Sequence, residues 1–143
     1  MRVTHHDLKK AGYTLTELMV VLTIMGILAT LVIPAFAGFL RRTRFQGSQN
    51  QLMSDIYYAR SLAITQHKTI AMQFDAGQYR IVDTTDGSVE RTTNAPRGVT
   101  FASTADPNFY SWGLADAVDI TVSGASQASV LNLLPTGTVR HGS

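Results

Sequence analysis

The 143-residue chain has no cysteine, so no disulfide can staple it and any folded part must be held by its apolar core. Charge is missing from one long stretch. From Leu18 to Leu40 there is no charged side chain, and Thr23 and Thr30 carry the only hydroxyls. Those 23 residues make a helix of about 35 Å, enough to cross a hydrocarbon core of about 30 Å. Catalytic signatures are absent too. There is no His-Glu-x-x-His, Gly-x-Ser-x-Gly or P-loop, and His5, His6, His67 and His141 are scattered. No catalytic residue is assigned, and no cofactor. The Asp83-x-x-Asp86 turn is too sparse in ligands for a calcium site, so no metal is expected. Internal repeats and low-complexity tracts are also lacking.

What is present starts with an acid in an odd place. Glu17 opens the uncharged run, five residues after Gly12, and a carboxylate near hydrocarbon needs a partner or a function. Arg2, Lys9 and Lys10 precede the run, and Arg41, Arg42 and Arg44 follow it. A cleaved secretory signal would have a shorter apolar region and no basic flank behind it. The flanking charges tie at three each and leave the orientation of a span open.

Helical spacing continues past the run. Phe45, Leu52, Ile56, Ala59 and Ala63 share one face, while Gln49, Ser54, Asp55 and Arg60 fall mostly on others. One helix is predicted from about Thr14 to about Gln66, apolar all round in its first half and amphipathic in its second. The rest reads as short antiparallel strands. "TIAMQF" places Ile70, Met72 and Phe74 on one face, "DAGQ" turns with Gly77 available for positive φ, and "YRIVD" returns. Asp86-Gly87 is the tip of a second turn, leading into "SVERTT". Further strands are predicted at "GVTFAS", "VDITVS" and "VLNLLP", while "TADPNFYSWGLAD" reads as a loop. Tyr57, Tyr58 and Trp112 are expected in or half in the core, with an interaction patch as the alternative.

The fold class predicted is α+β, a long N-terminal helix packed on a small, mainly antiparallel sheet. The segments are 1–12, 13–40, 41–66 and 67–143. Residues 45–143 hold six basic against eight acidic residues, a net charge of −2, which argues against a broad nucleic-acid footprint.

"GYTLTELMVVLTIMGILATLVIP" resembles the N-terminal signal of type IV pilins and type II secretion pseudopilins. Gly12 matches the last leader residue, Tyr13 the new N-terminus, Glu17 the glutamate five positions after the cut, and Gly26 and Pro34 the helix breakers. The resemblance implies that prepilin peptidase cuts after Gly12 on the cytoplasmic side and N-methylates Tyr13. It implies a subunit held in the inner-membrane lipid with its globular part in the periplasm, then assembled with other pilins or pseudopilins. Glu17 would then pair with the new amine of Tyr13, within one helix or between neighbours. The plainer alternative is that Glu17 complements the positive end of the helix dipole. Pro34 removes a helix hydrogen bond and Gly26 lowers helix propensity, which is either a hinge used on leaving the membrane or a tolerated kink.

"LMSDIYYARSLAITQHKTIAMQFD" and the late "LLPTGTVR" resemble the GspH/FimT family of minor pseudopilins and minor pilins. Some FimT-like pilins bind DNA through a Gly-Arg-x-Arg motif. Here the matching stretch is Gly137-Thr138-Val139-Arg140, in which the first arginine is missing, so DNA contact by Arg140 is only the second reading. A plain single-span anchor with no filament is the third.

Overall fold

The computed structural model describes residues 13–142, without the side chains of 31–35. Residues 1–12, read as a leader and including Gly12, lie outside the described residues, as does the Pro34 side chain.

Helix α1 runs over Leu15–Gln66 and its backbone is helical through position 34. Two compact units divide at Gly38 and Phe39. The first is helix. Its apolar side chains from Leu15 to Leu28 are exposed, and it has no core of its own among the described residues.

The second unit contains the rest of α1 and eight strands: β1 (Ile70–Asp75), β2 (Gln78–Asp83), β3 (Val89–Asn94), β4 (Val99–Ser103), β5 (Asn108–Phe109), β6 (Val118–Gly124), β7 (Ala128–Leu133) and β8 (Val139–His141). They form two antiparallel sheets rather than the one expected, in the orders β3-β2-β1-β5 and β4-β6-β7-β8. The helix face read from the sequence is the buried one. Phe45, Leu52, Ile56, Ala59 and Ala63 pack with Ile70, Met72 and Ile81 of the first sheet and Ile120, Val122 and Leu131 of the second. Each large side chain buried in this way contributes about 1.5–3 kcal/mol. Tyr79 on β2 meets Phe101 on β4 edge-on, with ring centres 5.0 Å apart, and joins the sheets.

Three local expectations need correction. Gly77 does not use a positive φ; the turn is held instead by Ala76 N–H donating to the Asp75 carboxylate and Ala95 N–H donating to Gly77 O. Gly87 does use one, at φ 72. The stretch read as a loop contains β5, because Phe109 is apolar enough to enter the core and its backbone pairs with the free edge of β1, opposite Ile70. Asp55, read among the polar residues that fall mostly off the apolar face, is fully buried.

The helix ends at His67, a non-glycine residue with φ 54. Glycine takes this left-handed position without strain, whereas histidine is strained there. His67→Gly is therefore expected to raise stability by about 0.5–1 kcal/mol, read as an increased midpoint of chemical unfolding.

Candidate functional site

The N-terminal segment is built around Thr14. Its carbonyl accepts the N–H of Leu18 at 3.2 Å, which makes it the N-cap, and its Oγ1 accepts the N–H of Glu17 at 3.2 Å. Thr14-x-x-Glu17 is the pattern of a capping box, and an acid in the first turn suits the helix dipole. The capping alternative thus has a geometric basis, and it rests on Thr14. Both the Glu17 and Tyr13 side chains are exposed.

Beyond Glu17 the surface is hydrocarbon. The two hydroxyls are turned inward: Thr23 donates to Met19 O at 2.8 Å and Thr30 to Ile27 O at 2.7 Å, so neither needs water. A Cβ added at Gly26 would meet nothing within 4 Å, so this glycine is not required by packing within the chain. No helix is long and apolar enough to cross a membrane when only the described side chains are counted. The uncharged run includes 31–35, so the span expected over 13–40 falls partly outside the described residues.

In the second unit, the two stretches that resemble GspH meet at Arg60. Its Nε donates to Gly113 O at 2.9 Å, and its side chain lies where a Cβ on Gly137 would fall, 2.7 Å from Cδ. Gly137 has φ 71 and is buried in the turn after β7. Any side chain there is both strained and obstructed. Gly137→Ala is expected to cost about 1–2 kcal/mol of stability, measured by thermal unfolding. Adding Arg60→Ala should return part of the loss, because the obstruction but not the strain is removed.

Arg140 stands exposed on β8. The ladder places Asn132 opposite it and Asp119 opposite Asn132, about 10 Å away across two strand spacings. All three line an open depression of about 510 Å³, so an acid shares the face on which a phosphate would sit. The structure does not bring Arg140 together with a second arginine at this depression.

Several features escaped the sequence reading. Asp55 accepts hydrogen bonds from Tyr79 Oη (2.7 Å), Arg91 Nη1 (2.7 Å), Thr93 Oγ1 (2.9 Å) and Gln51 Nε2 (3.1 Å). Burial disfavours its charge, but these donors outweigh that and hold the carboxyl below its ordinary range. Arg91 also lies over the ring of Tyr58, 4.0 Å from its centre. Asp83 is taken by Lys68 Nζ and by Thr85 N–H, and among the described residues no group of three or more possible ligands could hold a metal ion. Tyr58 is half-buried against the core, in line with the expectation of packing in or half in the core, whereas Tyr57 and Trp112 are exposed. For Trp112 there was no sequence signal, since an aromatic in a loop reads the same whether its ring points in or out, whereas Tyr57 on α1 lies off the stripe of Leu52, Ile56, Ala59 and Ala63.

A helix that is apolar and exposed in its first half, amphipathic in its second, and buried there against antiparallel sheets defines a pilin-like structural subunit. The chain belongs to the type II transport protein GspH family, whose model matches residues 48–140, and residues 7–33 match the prokaryotic N-terminal methylation motif. The fold is similar to that of the type IV minor pilin FimU of Pseudomonas aeruginosa PAO1, with TM-score 0.61 and 18% identity over 73% of this chain and 92% of that one. It is also similar to the minor pseudopilin EpsH of the type 2 secretion system of Vibrio cholerae, with TM-score 0.57 and 12% identity over 68% and 95%. No curated protein sequence matches the chain.

Proposed function

We propose that this subunit is made as a precursor, cut after Gly12 and methylated on Tyr13 by a prepilin peptidase. It is then held in the inner membrane by residues 13–40, with its N-terminus cytoplasmic and its globular unit periplasmic. From there it assembles through its N-terminal helix into a type IV pilus or a type II secretion pseudopilus. Its role is structural, without turnover of a substrate.

One observation carries this reading. Residues 15–33 of the methylation motif lie on a helix whose side chains from Leu15 to Thr30 are apolar for the most part and exposed, with the two threonine hydroxyls bonded to the helix backbone, a surface that must be covered by lipid or by other helices. Glu17 is the acid at the head of that surface. Once cleavage frees the amine of Tyr13, Glu17 of an incoming subunit neutralises it and sets the stagger between helices. Gly26, with nothing within 4 Å of where a Cβ would fall, allows close approach of a neighbouring helix, and the Gly26–Pro34 stretch is where the helix can yield on leaving the lipid.

Intact mass of the chain extracted from membranes of cells that contain the peptidase tests the proposal. The expected mass is that of residues 13–143 plus one methyl group. A chain that retains Met1–Gly12 would make it a plain membrane anchor instead.

A further inference from the structure

Trp112 is the only tryptophan of the chain, and 68% of it is exposed. It is not loosely placed. Its ring stacks on Tyr110 with centres 4.9 Å apart and planes 4° from parallel. The turn that carries it is tied at Tyr110, Gly113 and Leu114. Gly113 N–H donates to Tyr110 O and Tyr110 N–H to Leu114 O, both at 2.9 Å, while Arg60 holds Gly113 O from the helix. Tyr110 Oη donates to Asp116 at 3.1 Å, and Asp116 is fixed in turn by Asn108. One face of the indole is thus backed by a second ring and the other is presented to the outside on a rigid mount. That arrangement buries one face of the indole and leaves most of it exposed.

The surface around it is apolar apart from the Arg60 guanidinium. Gly113 sits on Ile64, whose Cδ1 would lie 3.5 Å from an added Cβ, and Trp112 and Leu114 flank it. Ile64 is 42% exposed and Leu114 47%; Tyr57, also 47% exposed, lies two helical turns before Ile64 on the same face of α1. Tryptophan, tyrosine and arginine around a rigid apolar centre is the composition of an interface hot spot. A polyanion is disfavoured, because residues 45–143 carry a net charge of −2 and Arg60 already donates to Gly113.

We infer that the Tyr57–Ile64–Trp112–Leu114 patch docks the globular part of a neighbouring pilin-like subunit in the same filament. The size of the patch selects this occupant. The four side chains offer on the order of 400 Å² of apolar surface, about half of what each partner contributes to a stable complex in solution. A contact of that size holds only a partner already tethered nearby. Helices packed along residues 13–40 supply the tether, at an effective concentration on the order of millimolar. The inference therefore rests on the assembly proposed above, and it adds a contact made outside the helices.

The test places a photo-crosslinking residue beside the indole, as Ser111→p-benzoylphenylalanine, in cells that assemble the filament. Thr92→p-benzoylphenylalanine, on the edge strand β3, is the control. Position 111 is expected to give an adduct with a protein that carries a methylated pilin-type N-terminus, and the adduct should vanish in Glu17→Lys. Trp112→Ala is expected to leave the thermal midpoint unchanged and to lower the amount of chain in filaments about tenfold or more. Filaments that contain normal amounts of Trp112→Ala, with no subunit adduct at 111, would overturn the inference and leave the assembly reading standing. So would an adduct to nucleic acid or glycan, or a self-adduct that persists in Glu17→Lys. If the unmodified chain never enters filaments, both fall together.

Discussion

Glu17→Lys is expected to leave cleavage after Gly12 and methylation of Tyr13 largely intact, while reducing the chain recovered in filaments by about a hundredfold or more. Two opposite charges about 4 Å apart attract by about 4 kcal/mol at an effective dielectric of 20, and the lysine replaces that attraction with repulsion toward the same amine. Incorporation would be measured by quantifying the chain in sheared filaments against the chain in membranes. Thr14→Ala separates the pairing role from the capping role. Thr14 Oγ1 is the group that accepts the Glu17 N–H, and its loss costs about 1 kcal/mol of helix stability with no change of charge. Incorporation should therefore survive Thr14→Ala and Glu17→Asp but not Glu17→Lys or Glu17→Ala. Normal incorporation of Glu17→Ala would remove the electrostatic pairing, and a block by Thr14→Ala as strong as that by Glu17→Lys would assign the effect to the cap.

The largest effect on stability is expected from Asp55→Ala, about 3 kcal/mol, measured on the detergent-solubilised chain by following Trp112 emission through chemical unfolding. The four donors around Asp55 do not suffer equally. Arg91 is 40% exposed and can turn its guanidinium to water, so losing this partner costs little. Tyr79 is fully buried, and its hydroxyl would be left without an acceptor in the core. Asp55→Asn keeps an acceptor oxygen and should cost less than alanine.

The same site sets an acid limit. The hydrogen bonds hold the folded carboxyl below its unfolded value, so their stabilisation is complete above the unfolded pKa of about 3.9 and declines as pH falls through the folded value. The slope of stability against pH below about 4 should be shallower in Asp55→Asn than in the parent chain. An identical slope would show that Asp55 does not bear the acid sensitivity.

Some of this was legible in the residues. The bounds of α1 and its buried stripe follow from spacing alone, because each residue's position on a helix is fixed by its neighbours three and four places away. Strands β1, β2, β3, β4, β6 and β7 were legible from alternation and from turns such as Asp86-Gly87. The methylation segment was legible for a different reason, since a basic leader, a glycine and an acid five residues on form a linear pattern that a peptidase reads without any fold.

Asp55 marks where such reading stops. On the helix it is one polar residue among several, and its burial depends on Tyr79, Arg91 and Thr93, which are 24, 36 and 38 positions away. β5 depends on an edge of β1 that exists only once the sheet has formed.

The sequence by itself determined the long helix, its bare apolar first half, the β-rich remainder and the position of Glu17, because these depend on contacts within a few residues. Only the tertiary structure decided that Asp55 is a buried hub, that Arg60 gathers Gly113 and Gly137, and that Trp112 faces outward. Each of these is set by which distant side chains arrive beside it, and local pattern carries no record of that.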